Sequence, residues 1–174
     1  MLSGGIEDVS AGALASGTTI RGGLEYVFSG GTASGTVLSA GTLEIASGGS
    51  TGAGPVTFSG GGTLHLDDSI HFGGLVAGFA VPDVMDLADI PFVSSGASGA
   101  TTVNWNQITS GATGSGTLTV AQGTHSANLT LLGNYVTGNF HLLTDGASGT
   151  IVTDPPVTAQ TDPGPFALLV PHQG

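Results

Sequence analysis

The stretch SGGTASGTVLSAGTLEIAS, residues 29–47, decides the fold, because its pattern recurs on both sides at nearly constant spacing. Glu7, Glu25 and Glu44 each follow an aliphatic residue (Ile6, Leu24, Leu43), at spacings of 18 (25 − 7) and 19 (44 − 25). His65, between Leu64 and Leu66, extends the series at a spacing of 21 (65 − 44). A second series, Ile20, Leu38 and Phe58, runs at 18 (38 − 20) and 20 (58 − 38). Between the two series lie Ala15-Ser16-Gly17-Thr18 and Ala33-Ser34-Gly35-Thr36. Self-similarity at such a period, with glycine punctuation and β-branched residues, is the mark of a β-solenoid, in which one repeat cannot bury its apolar side without stacking on the next.

The expected fold is therefore all-β: a parallel β-helix, or β-solenoid, of about four rungs with a C-terminal β-rich cap. Parallel backbone ladders would stack the rungs about 4.8 Å apart. Side chains alternate along a strand, so Glu7, Glu25, Glu44 and His65 are expected to form an outward ladder if their aliphatic neighbours point in. Gly22-Gly23, Gly30-Gly31, Gly48-Gly49 and Gly60-Gly61-Gly62 separate the apolar stretches and would supply the corners.

Residues 1–79 read as the solenoid repeats, 80–154 as the cap and 155–174 as a Pro-rich tail. The passage GFAVPDVMDLADIPF, residues 78–92, breaks the repeat. Its Asp83, Asp86 and Asp89 are spaced by three and bracketed by Pro82 and Pro91, which suits a short helical turn with Asp83 as its cap. Beyond it, residues 101–106, 116–121, 126–132, 140–143 and 149–153 read as short strands. Gln122-Gly123 and Asp145-Gly146 mark hairpin turns between them. Trp105, Tyr135 and Phe140 concentrate bulk in this region, where they would cover the last rung, since an open edge invites unwanted pairing.

Composition limits the partners. Formal net charge is −11, and Arg21 is the single Lys or Arg. Nucleic-acid binding draws its affinity from basic side chains that neutralise phosphate, so none is expected. The same deficit argues against an anionic membrane surface, and no apolar run is long enough for a span, so no membrane insertion is expected. Charged residues make up 7% of the chain, and Ser, Thr, Asn and Gly hydrate the surface instead. Without cysteine there are neither disulfides nor thiolate sites, and no cofactor is implied. No basic leader is visible at Met1, so an export signal would lie elsewhere, or the chain is part of a longer one.

The repeat SGGTASGTVLSAGTLEIASGG resembles the passenger repeats of bacterial autotransporter adhesins of the diffuse-adherence type. GFAVPDVMDLADIPF, followed by GTLTVAQGTHSANLTLLGNYVTGNFHLLTDGASGTIVTDP, is similar to the C-terminal ends of large repeat proteins exported by alphaproteobacteria. The resemblance implies a β-helix in a secreted or cell-surface bacterial protein. It carries architecture rather than activity, because fold and repeat type do not fix function. These residues hold no stretch that reads as a membrane β-barrel, so self-translocation is not expected of them, and they lack the GGxGxD nonapeptide of calcium-binding repeat toxins.

The densest titratable cluster in sequence is His65, Asp67, Asp68 and His71. Carboxylates beside histidine could serve as the acid and base of a glycosidase, or as ligands for a divalent cation. Uronic-acid substrates would call for more cationic groups than Arg21. Calcium at Asp83, Asp86 and Asp89 would require about six to eight converging oxygens. No catalytic, cofactor or metal residue is assigned on this basis. The expected role is a non-enzymatic structural or adhesive module that binds surface glycans. The alternatives are a subunit that binds itself, edge to edge through its first rung, to build a head-to-tail filament, and a polysaccharide-binding or polysaccharide-degrading β-helix.

Overall fold

The computed structural model describes residues 1–154, so the Pro-rich tail lies outside the described residues. Strands β1 (Ile6–Val9), β2 (Leu14–Ser16), β3 (Thr19–Val27), β4 (Thr32–Ser34), β5 (Val37–Ile45), β6 (Val56–Phe58) and β7 (Thr63–Leu66) are followed by a 3-10 turn at Ser69–His71. Then come β8 (Leu75–Ala77), β9 (Val84–Leu87), β10 (Thr102–Thr109), β11 (Ser115–Gln122), β12 (His125–Leu132), β13 (His141–Thr144) and β14 (Thr150–Thr153). The chain forms the parallel β-solenoid that its repeats predict, with about four turns.

On one face β1, β3, β5, β7 and β9 stack in parallel, each bonded to the next. On a second face the first half of β3 pairs with β5, and then β5 with β6 and β6 with β8. Ile20, Leu38 and Phe58 fall in one column there, as their spacing predicts. On the third face β2 pairs with β4, aligning Ala15-Ser16 with Ala33-Ser34.

The passage at residues 78–92 does not form the expected helical turn. Val84–Leu87 is the strand β9, and it continues the stack in register with β7, placing Asp86 opposite His65. A Val-Met-Asp-Leu segment with two buried alternate positions, Met85 and Leu87, meets the period-2 requirement of a stacked strand. Asp83 caps no helix; it is buried, and its carboxylate accepts the Ala80 N–H at 3.0 Å to close a turn.

The core is the interior of the coil. Val9, Val27, Ile45, Leu66 and Leu87 form one buried column, and Leu43, Leu64 and Met85 part of another. Each fully buried side chain of this size stabilises the fold by about 1.5–3 kcal/mol relative to exposure. The chain turns from the second face to the first at a glycine column. Gly41 has φ +85°, and a methyl group on it would lie 2.4 Å from the Gly23 carbonyl oxygen. Only glycine fits a left-handed corner that stacks backbone on backbone.

After β9 the pairing changes character. β10, β11 and β12 form an antiparallel meander, with a tight turn at Gly123-Thr124, and β12 pairs with the last second-face strand, β8. The β13–β14 hairpin pairs through β14 with β9. Both strands of the last turn therefore have neighbours. Phe58, Phe79, Phe140, Trp105 and Tyr135 then run in one aromatic chain from the solenoid interior into these strands, with ring centroids 5.2–6.3 Å apart. The Tyr135 hydroxyl donates to the Phe79 carbonyl at 3.0 Å.

Candidate functional site

The expected ladder of Glu7, Glu25, Glu44 and His65 does not form. The register pairs Glu7 with Glu25, but Glu25 with Leu43 and Tyr26 with Glu44. The outward column is Asp8, Tyr26, Glu44, His65 and Asp86, at spacings of 18, 18, 21 and 21. Glu7 and Glu25 stand one position away, and a shift of one residue along a strand moves a side chain to the opposite face. Glu25 is therefore inside, at 0% exposure. Its Oε2 accepts the Thr36 hydroxyl at 3.1 Å, and its Oε1 has no partner among the described residues. Burial raises its pKa, the Thr36 hydrogen bond opposes this in part, and the neighbouring Glu7 charge raises it further.

Three turns meet at His65. β7 carries it outward, β5 carries Glu44 beside it, β9 carries Asp86 on its other side, and Asp67 follows β7 directly. His65 Nδ1 lies 2.8 Å from Asp86 Oδ2 and Nε2 lies 3.1 Å from Asp67 Oδ1. Burial works against a charged imidazole here, but the Asp86 hydrogen bond and the charges of Asp86, Glu44 and Asp67 outweigh it, and the net shift is upward. Glu44 is also raised, first by burial.

The sequence cluster is thus split in two. Asp68 and His71 form a separate pair, with His71 Nδ1 2.7 Å from Asp68 Oδ1, and Ser47 donates to Asp68 Oδ2 at 3.1 Å. The His71 hydrogen bond, in first place, holds the Asp68 carboxyl below its ordinary value. Asp89 anchors the intervening 3-10 turn, accepting from the Ser69 hydroxyl and, at 3.1 Å, from the Ile70 N–H. Asp83, Asp86 and Asp89 therefore serve three different places: a buried turn, the His65 cluster and the 3-10 turn.

Glu44 and Asp86 were not linked to one site by their neighbours in sequence. The signal that joins them is the constant spacing of column positions, 44, 65 and 86, which a match on Glu-after-aliphatic obscures. Tyr26 and Phe28 also lie on or beside this column, with their rings in an edge-on contact at 4.3 Å. The outer face thus sets an aromatic pair against a group of carboxylates around one imidazole. No helix among the described residues is long and apolar enough to cross a membrane.

Comparison with known proteins returned no matching family model, no similar curated protein and no similar solved structure.

Proposed function

We propose that this chain is a non-enzymatic structural and adhesive module of a secreted or cell-surface bacterial repeat protein. The observation that carries the reading is the uninterrupted parallel stack of β1, β3, β5, β7 and β9. Such a stack holds its outer side chains at fixed intervals of about 4.8 Å on a stiff support. A polymer with its own repeat, such as a surface glycan, meets several of them at once. Tyr26 and Phe28 offer apolar ring surface, and Glu44, Asp67 and the many Ser and Thr hydroxyls offer acceptors for sugar hydroxyls. The resemblance of the repeats to autotransporter passengers supports the same reading.

Retention on insoluble polysaccharides, measured together with the release of reducing ends, tests it. Binding without release is expected, weakened at least tenfold by Tyr26→Ala. Release of reducing ends that disappears in His65→Ala would overturn the reading in favour of a polysaccharide-degrading β-helix.

A second reading, self-association, is favoured by one feature. Among the described residues strand β1 bonds to β3 alone, and Ile6 and Leu14 of the first turn are 70% and 67% exposed. Unpaired strand edges recruit other strands, and the chain has no lysine to discourage this. β12 and β14 occupy the edges of the last turn, so two copies would join first turn to first turn, an isologous contact that closes as a dimer. Light scattering after size-exclusion chromatography should then show a dimer that Ile6→Glu converts to monomer. Long rods would instead mean head-to-tail stacking, and a monomer at every concentration would remove the second reading.

A further inference from the structure

The geometry points to a divalent-metal site on the outer face, with His65 Nε2, Glu44 and Asp67 as ligands and Asp86 as the carboxylate that orients the imidazole. It shares Glu44 and Asp67 with the adhesive reading but does not require glycan binding.

One ligand atom from each of Glu44, His65 and Asp67 can be chosen so that all lie within 4.8 Å of one another. The 3.1 Å between His65 Nε2 and Asp67 Oδ1 is close to a tetrahedral edge. Bonds of about 2.0–2.1 Å to a zinc ion would set two ligands about 3.3 Å apart. Asp86 takes His65 Nδ1 at 2.8 Å, which leaves Nε2 as the nitrogen facing Asp67. A carboxylate behind the imidazole in this way fixes the tautomer and raises the ring's donor strength, the usual outer arrangement of metal-bound histidine.

A second observation is the missing countercharge. Glu44, Asp67 and Asp86 surround one imidazole, and every ion pair among the described residues involves a histidine. The chain's single Arg or Lys, Arg21, enters none of them. Asp86 Oδ1 is buried and has no hydrogen-bond partner among the described residues, so the charge of this carboxylate is answered by the His65 imidazole alone there. A cation from solution supplies what the sequence does not.

The donor set selects the ion. One imidazole nitrogen with two carboxylates and no sulfur suits zinc and its first-row neighbours, whereas calcium and magnesium prefer all-oxygen shells. With side-chain exposures of 27% for His65 and 37% for Asp67, the site is open to solvent on one side. A metal held there has room for water or a sugar hydroxyl and exchanges with the medium. Asp68 and His71 belong to another pair and are not ligands.

The test uses the full chain, free of any affinity tag and stripped of metal, titrated with zinc chloride by calorimetry while the melting temperature is followed. One saturable site per chain and a rise of several degrees in melting temperature are expected. Asp67→Asn and His65→Ala should each weaken binding at least tenfold with an unchanged circular dichroism spectrum, and His71→Ala should leave it unaltered. Nitrogen-15 shifts of the wild-type histidines identify the ligand directly, with His65 Nε2 moving on zinc addition. Absence of saturable binding, movement of His71 instead of His65, or a preference for calcium over zinc would overturn the proposal.

Discussion

The two ends of the solenoid fill the same inward column with opposite chemistry. Toward the last turn it holds Leu64 and Met85, both with no exposure, and β12 and β14 pair with the edges beyond. In the first turns it holds Glu7 and Glu25, and among the described residues β1 has a neighbour on one side only. Stability in stacked repeats is close to a sum of each repeat and its interfaces. Each turn therefore contributes through its own interfaces, and the apolar interfaces of the covered end are expected to contribute more than those around Glu7 and Glu25. The open end thus carries a buried carboxyl group and a strand edge without a second neighbour among the described residues.

Three measurements break or sharpen this contrast. The largest effect is expected from Leu64→Ala, which removes a buried side chain between two packed turns and should cost about 2–5 kcal/mol in chemical denaturation. A loss below about 1 kcal/mol would mean that the covered end is no better packed than the open one.

A smaller effect of the opposite sign is expected from Glu25→Leu, which extends the apolar column of Leu43 and Leu64. The Glu25 pKa is raised in the folded state, mainly by burial. The native protein then binds more protons than the unfolded chain above the ordinary glutamate range, so this residue subtracts stability as pH rises through that window. The substitution should gain on the order of 1 kcal/mol at pH 8, the scale of a buried polar atom left unpaired, and less at pH 4. A gain of equal size at both pH values would show that Glu25 is not protonated by burial.

The smallest effect is expected from Ile6→Thr. Ile6 is an aliphatic strand residue like Leu64, but 70% exposed, and changing it should move stability by no more than about 0.5 kcal/mol. A loss of about 2 kcal/mol would show that a second copy covers the first turn in solution.

The corners, the parallel stack and the column of Ile20, Leu38 and Phe58 could be read from the chain because they depend on composition and period alone. Glycine is required where backbone stacks on backbone, and an apolar residue at a fixed interval has to meet its counterpart. The five C-terminal strands were legible for the same reason, from alternation between turn residues. The strand at Val84–Leu87 was not, because Asp83, Asp86 and Asp89 at intervals of three imitate one face of a helix, and only stacking on β7 overrides that pattern.

The outer site divides along the same line. That His65 sits among carboxylates was determined by the sequence, since Asp67 is two residues away and side chains two apart share a face. Which carboxylates join it was decided by the tertiary structure. Glu44 and Asp86 arrive from the turns before and after, and the register that brings them also turns Glu25 inward. A one-residue difference in spacing, 19 from Glu25 to Glu44 against 18 from Tyr26, is small in an alignment but reverses the face of a strand. Hydrogen-bonded register between turns, which no local pattern encodes, settles that choice.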